Sequence, residues 1–337
     1  GNRPKITIHG GYLITERGGA LKWRSFAGKV AHISGLPDDI YVDGQAGVFD
    51  VVLAPDFDVS QELFIAYAYG DEDKNGTALI RAKLMNGVLN GVQTLFKTEP
   101  FKDTSSHFGG RIAFMNDGTL LLSTGEGFAY REEAQNLGSH FGKIIRINRD
   151  GSIPEDNPFS SGQNGQPEIY SYGHRNPQRL TVDHETGMIW ETEHGPRGGD
   201  ELNIITPGGN YGWPLATTGV DYNGAKITPY KSFEGTEKYI HHWVPSIAPS
   251  GLTIYRGGMF PEWDGDAIVG GLASKSLRRV DLLNGKSMGE EVLLSDIDAR
   301  IRDVRTDNDG AILIVTNTKK DSEPGGGQVL RILPGQN

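Results

Sequence analysis

The sequence predicts an all-β protein, a six-bladed β-propeller of four-stranded antiparallel blades, on three observations. A strand–turn–strand unit recurs six times, glycine is abundant, and no stretch of twelve or more residues keeps a helical period. The first strands of the units begin at Gly11, Glu62, Gly118, Gly187, Gly265 and Gly310, and the second strands at Ala20, Ala78, Lys143, Glu201, Ser276 and Gln328. Their first-strand starts lie about 60 residues apart on average, near the upper end for propeller blades. The chain carries 47 glycines and 17 prolines among 337 residues with no collagen-like period, which fits many short strands joined by tight turns. Runs such as Leu120-Leu121-Leu122 and Ile312-Leu313-Ile314-Val315 are continuously apolar, as expected of strands covered on both faces by neighbouring blades. A closed ring of blades also removes exposed sheet edges, which a β-sandwich does not. One domain over 1–337 is expected, with two long connections at 148–166 and 215–245 rich in Gly, Pro and Asn. Connections of that length are functional or mobile more often than decorative.

Composition excludes several classes. Hydrophobic residues make up 36% and charged residues 23%, a globular balance, not a disordered one. No run of eighteen apolar residues occurs, so no membrane-spanning helix is expected. The opening Gly1-Asn2-Arg3-Pro4-Lys5 has neither a signal-peptide pattern nor an initiator Met, as expected of a processed chain. With no cysteine, disulfides, thiolate metal sites and cysteine nucleophiles are all excluded. A net charge of −10 without a basic run argues against nucleic-acid binding, which needs a positive footprint.

Five segments could carry chemistry. His107-Phe108-Gly109-Gly110-Arg111 puts an imidazole, the natural base near neutral pH, beside glycines that let backbone approach a ligand. Glu126, after the next strand, offers a carboxylate to orient it; read alone it is a solvated turn residue. Gly173-His174-Arg175-Asn176-Pro177-Gln178 gathers a bidentate cation and two amides around a proline turn, or is a polar loop tying its own backbone. Arg300 and Arg302 alternate, hence share a face if the segment is extended, with Asp303 on the other. They suit an anionic ligand, or form an exposed basic edge. The richest segment runs from Glu193 to Pro214. Its Gly-Pro and Gly-Gly turns expose carbonyls, and Asp200 and Glu201 add hard oxygen donors, a mix that suits Ca²⁺ and not zinc.

At these residues the chain resembles the glucose/sorbosone dehydrogenase family, soluble quinoproteins using pyrroloquinoline quinone (PQQ) and Ca²⁺, and looks most like its aldose sugar dehydrogenase branch. Seven motifs carry the resemblance in order: Thr15-Glu16-Arg17, Gly44-Gln45-Ala46-Gly47, the His107 and Gly173 segments, Glu193–Pro214, Ala248-Pro249-Ser250-Gly251 and Arg300-Ile301-Arg302-Asp303. The resemblance implies a six-bladed propeller that oxidises aldoses at C1. His107 would be the base for the anomeric hydroxyl, with Glu126 holding its tautomer and Arg175 stabilising developing charge. Gln45, Arg175, Asn176, Arg300 and Arg302 would grip PQQ, with Tyr222 a further contact to cofactor or sugar. Main-chain oxygens of Gly195 and Pro196 would bind the catalytic Ca²⁺, and Glu201 with the Tyr211 main chain a second one. It also implies an aldose substrate, an electron acceptor that the sequence does not name, a monomer or dimer, and a periplasmic or secreted location.

Two positions depart from the family pattern. Ala273 stands where the glucose enzymes have Lys, with Lys275 two residues on, and Arg179 stands where Gly often follows Asn-Pro-Gln. Competing expectations are a calcium-dependent lactonase-type hydrolase on the same architecture and a non-catalytic glycan-binding propeller.

Overall fold

The computed structural model describes residues 10–317 and 327–335. They fold into antiparallel sheets built from consecutive strands, and the fold class is the six-bladed β-propeller. The only helical elements among the described residues are one four-residue α-turn, Phe57–Ser60, and two short 3₁₀ turns. None of these is long and apolar enough to cross a membrane. The chain divides into two compact units, Gly1–Asn176 and Pro177–Asn337.

The first unit holds three sheets. One comprises β1 (Gly11–Glu16), β2 (Ala20–Ser25) and β3 (Val30–Ile33). The next comprises β4 (Val48–Leu53), β5 (Glu62–Gly70), β6 (Asn75–Met85) and β7 (Val88–Lys97). The third comprises β8 (Gly109–Phe114), β9 (Leu120–Thr124), β10 (Lys143–Ile147) and β11 (Ile169–Tyr172). The second unit repeats the plan with β12 (Pro177–Val182), β13 (Ile189–Glu193), β14 (Asp200–Ile205) and β15 (His241–Trp243). A sheet of β16 (Pro249–Ile254), β17 (Ala267–Gly271), β18 (Leu277–Leu283) and β19 (Lys286–Leu293) follows. The last comprises β20 (Arg300–Thr306), β21 (Ile312–Asn317) and β22 (Val329–Ile332). Among the described residues, then, four sheets have four strands and two have three.

All six strand pairs read from the sequence are present, from β1–β2 to β21–β22. In five sheets a further strand precedes the pair: β4, β8, β12, β16 and β20. Each of these leading strands is irregular, with a register shift between Val48 and Asp50, Gly109 and Ile112, Pro177 and Arg179, Pro249 and Leu252, and Ile301 and Asp303.

The continuous apolar runs have a packing cause. Along β5, Leu63, Ile65 and Tyr67 pack with Leu21, Trp23 and Ile33 of the first sheet. The intervening Phe64 and Ala66 pack with Ile112, Leu120, Leu122 and Ile145 of the third. In the second unit β17 does the same, Ala267 and Val269 joining Trp190 and Leu202 while Ile268 joins Ile301, Ile312 and Ile314. A strand packed on both faces against apolar neighbours has no solvent-facing row of polar side chains, so alternation disappears from its sequence.

The connection 148–166 is without strands and is anchored by polar contacts. Buried Asn157 donates from Nδ2 to the carbonyls of Arg146 and Pro167, both at 2.9 Å. Arg146 in turn pairs with Asp117 at 2.7 Å and Asp156 at 2.8 Å. Removing a buried donor leaves its acceptors bare, whereas an exposed ion pair adds little. Asn157→Ala is therefore expected to lower unfolding free energy by about 1–3 kcal/mol. Asp156→Ala, at a side chain 76% exposed, should change it by less than about 1 kcal/mol in the same urea titration.

Candidate functional site

In the first unit the site is built where β8 begins and β9 ends. His107 takes the left-handed conformation, φ 53°, before Gly109 and Gly110, which are also left-handed. That turn carries the imidazole inward, where it is 4% exposed. Its Nδ1 lies 2.8 Å from Glu126 Oε1, and Glu126 is itself 1% exposed. A carboxylate only accepts, so Nδ1 carries the proton and donates, which leaves Nε2 with its lone pair. Burial pushes the imidazole below its ordinary value; the Glu126 hydrogen bond opposes this, and the positive charge of Arg175 adds to it.

Backbone contacts fix the same residue. Exposed Gln45 accepts the His107 N–H through Oε1 at 2.8 Å, and Gly127 N–H donates to the His107 carbonyl at 3.2 Å. A Cβ on Gly125 would stand 2.1 Å from that carbonyl oxygen, so only glycine fits there. Buried Asn176 accepts the Gly109 N–H at 3.3 Å, and the Arg175 carbonyl accepts the Glu126 N–H at 2.9 Å. The unit thus brings together His107, Glu126, Gln45, Arg175 and Asn176.

In the second unit Gly195 and Pro196 line a cavity of about 590 Å³ with His194, Arg197, Tyr222 and Val244. Tyr222 is 59% exposed at its edge. The loop is held by Asp200, and here one expectation is corrected. Asp200 is not free to ligate a metal: Oδ1 accepts Gly195 N–H at 2.9 Å, and Oδ2 accepts the Ser246 hydroxyl at 2.5 Å and Ala248 N–H at 2.8 Å. Burial raises its carboxyl, and these hydrogen bonds oppose the rise.

Glu201 occupies a different setting. It pairs in register with Glu193, and Glu191 pairs with Asn203, so three carboxylates and an amide share one face of β13 and β14. Glu191 and Glu193 each present an oxygen within 4.8 Å of the other's. Asn203 Nδ2 lies 3.1 Å from Glu191 Oε2 and 3.4 Å from Glu201 Oε2. Glu191 Oε1 and Asn203 Oδ1 are buried without a hydrogen-bond partner among the described residues. Burial, and then the neighbouring carboxylates, raise both Glu191 and Glu201 well above the ordinary range. Such a set fits a hard divalent cation, which needs oxygen donors and would compensate the charge. Sequence reading singled out only Glu201 here; the cross-strand register is what adds Glu191, Glu193 and Asn203. The Tyr211 hydroxyl is spent locally, donating to the Ile204 carbonyl at 2.6 Å and accepting Thr206 N–H at 2.9 Å.

Arg300 is half-buried and its Nε has no hydrogen-bond partner among the described residues, which fits an anionic ligand. Arg302 does not simply alternate with it, because the bulge between Ile301 and Asp303 falls at that residue. Arg179 is turned to the Leu252 carbonyl at 3.3 Å and to Asp303 at 3.9 Å. Lys275 pairs with Asp298, and Ala273 is exposed.

Comparison with known proteins shows what the whole chain is similar to. A family model described as Glucose / Sorbosone dehydrogenase matches residues 5–328. Aldose sugar dehydrogenase YliI of Escherichia coli (strain K12) is 39% identical over 330 residues, covering 96% of this chain and 87% of that protein. A crystal structure of a glucose dehydrogenase superimposes with a TM-score of 0.91 at 39% identity, covering 96% of this chain and 93% of that one. The PQQ-bound form of an aldose sugar dehydrogenase from Streptomyces coelicolor gives a TM-score of 0.78 at 26% identity, covering 96% and 90%.

The clamp on the Gly195 loop yields a test. Asp200→Ala removes the carboxylate that accepts from Gly195 N–H, Ala248 N–H and the Ser246 hydroxyl and should cost roughly 3 kcal/mol of unfolding free energy. Glu201→Gln, measured alongside in metal-free buffer, should be neutral or stabilising, because it removes like-charge repulsion from the buried set.

Proposed function

Because the chain belongs to the glucose/sorbosone dehydrogenase family, we propose that it oxidises aldose sugars at C1 to lactones, with PQQ and Ca²⁺ as cofactors. The observation that carries the reading is the buried His107–Glu126 pair. Glu126 fixes Nδ1 as the donor, and His107 Nε2 accepts the proton of the anomeric hydroxyl as general base. Burial and Arg175 keep the imidazole neutral and ready to accept at neutral pH.

When bound, PQQ supplies the hydride acceptor and Ca²⁺ the Lewis acid that polarises it. The residues present fit such groups. Gly195 and Pro196 line the cavity, and their main-chain oxygens would hold the catalytic ion, while Arg175, Asn176, Gln45, Arg300 and Arg302 would bind the anionic cofactor and Tyr222 would border the sugar. Glu201 would hold the second ion, with the Tyr211 main chain and, by register, Glu191, Glu193 and Asn203. On this reading both units contribute to one propeller domain, and a periplasmic or secreted location follows the family.

The test is reconstitution: PQQ and Ca²⁺ are added and dye reduction is followed with glucose and other aldoses. Turnover is expected. No turnover with any aldose, together with an unchanged Tm on adding both ligands, would sink the reading. His107→Ala should reduce kcat at least about 10²-fold while keeping the rise in Tm. The acid limb of kcat/KM should lie below pH 6.5, because the neutral imidazole persists to lower pH when its protonated form is disfavoured by burial. One observation favours a second reading: the carboxylate and Asn set on β13 and β14 suits a metal-dependent lactonase. Calcium-dependent lactone hydrolysis without quinone would establish that instead.

A further inference from the structure

Lys102 is a buried cation that none of the roles above uses. Its backbone N and O both bond Asn75, at 3.0 and 2.9 Å, which fixes it to the start of β6. The residue is 2% exposed. Its ammonium reaches the Thr104 carbonyl, lies 3.4 Å from the Thr104 hydroxyl, and stands 3.4 Å from the centre of the Phe108 ring. Thr104 Oγ1 donates to the Gly127 carbonyl at 2.6 Å, and a Cβ on Gly127 would lie 2.9 Å from Lys102 Cδ. The lysine is therefore packed under the turn that presents Glu126 to His107.

None of its three direct partners is charged, and a buried ammonium needs an anion to offset its lost hydration. Burial brings Lys102 down to about 7, and the anions that oppose this are Glu126 first and Asp103 second. Asp103 already accepts the Tyr130 hydroxyl at 2.7 Å. Glu126 has a matching need: Oε1 serves His107, while Oε2 is buried without a hydrogen-bond partner among the described residues. A cation without an ionic contact and an anion with a bare oxygen thus share one buried turn.

We propose that Lys102 is a positioning residue for the His107–Glu126 pair: its charge balances the Glu126 carboxylate, which then holds the proton on His107 Nδ1 and leaves Nε2 as base. The proposal rests on the role given to His107 above. Charged groups facing the imidazole are Glu126, Arg175 and Lys102; those facing the ammonium are Glu126 and Asp103. Lys102 and Arg175 both lower His107, and Glu126 raises it. Deleting the lysine charge must therefore move His107 upward.

The experiment is ¹⁵N-histidine NMR on the cofactor-free protein, with steady-state kinetics on the reconstituted enzyme. Lys102→Met should raise the His107 midpoint by about half a pH unit or more and weaken the preference for Nδ1 as the protonated nitrogen. The acid limb of kcat/KM should move up equally, with kcat reduced and KM for glucose within about twofold. Lys102→Arg should restore midpoint and profile. A lysine that only braces the turn would lower Tm and leave the midpoint still, and that result overturns the proposal. If Lys102→Met does not fold, the reciprocal measurement serves: Glu126→Gln must lower the Lys102 midpoint in ¹³C-lysine spectra, and an unmoved midpoint overturns it equally. The two readings fail separately. Full activity in His107→Ala removes the base and leaves the measured coupling intact, whereas an unmoved midpoint with inactive His107→Ala removes only the coupling.

Discussion

The bulge near the start of each leading strand is the constraint on which the rest of the structure depends. β4, β8, β12, β16 and β20 all slip register within their first few residues, and each slip adjoins one of the polar motifs. Regular pairing would turn alternate side chains into the apolar layers between sheets. An extra residue in the strand re-aims the backbone and frees side chains from that alternation. His107 just before β8, Asn176 just before β12 and Arg300 at the head of β20 are the polar groups presented this way. Glycine supplies the clearance: at Gly125 a side chain would strike the His107 carbonyl, and at Gly251 a Cβ would come within 2.1 Å of Val304 N.

The two units treat buried charge differently. In the first, an anion sits among cations: Glu126 lies near Arg175 and Lys102, and the turn tolerates an unmatched carboxylate oxygen because positive charge is near. In the second, Glu191, Glu193 and Glu201 face one another, with the Asn203 amide donating to Glu191 and Glu201. Like charges in a buried layer must take up protons or a cation. Asp200, next along β14, shows the third solution, in which three donors from the backbone and Ser246 neutralise the need locally.

What was legible in the sequence follows from the same physics. The middle strands, such as β9 and β21, open on continuous apolar runs, Leu120–Leu122 and Ile312–Val315, because both faces are covered, so the six pairs are countable in the sequence. Leading strands do not stand out in the repeat, since Gly109-Gly110-Arg111, Pro249-Ser250-Gly251 and Arg300-Ile301-Arg302-Asp303 carry glycine, proline and charge where the bulges lie. The same residues were recognised as motifs. Outer strands such as β19 are largely exposed and lack the apolar run that marks the counted pairs. His107 and Glu126 lie together as their motifs suggest, whereas the contact of Gln45 with the His107 N–H has no signal in the sequence, which offers Gln45 only as a cofactor contact. Asp200 was misread because composition cannot tell a ligating carboxylate from one consumed by its own loop. Lys102 had no signal at all: Phe101-Lys102-Asp103 looks like any solvated turn, and only its burial against Phe108 separates it.

If His107 is the base proposed above, it must satisfy two opposed demands, and this arrangement meets both. A neighbouring carboxylate strengthens the base but also favours its protonated, useless form at rest. With Glu126 alone, His107 would be drawn toward the imidazolium. Burial and the two cations push the other way, and the net displacement of His107 is downward. The carboxylate therefore keeps its directional function, holding Nδ1–H, while the cations cancel the part of its field that would occupy Nε2 with a proton. Orientation and proton affinity are set by different residues: Glu126 governs the first through a 2.8 Å contact, and Lys102 and Arg175 govern the second through space.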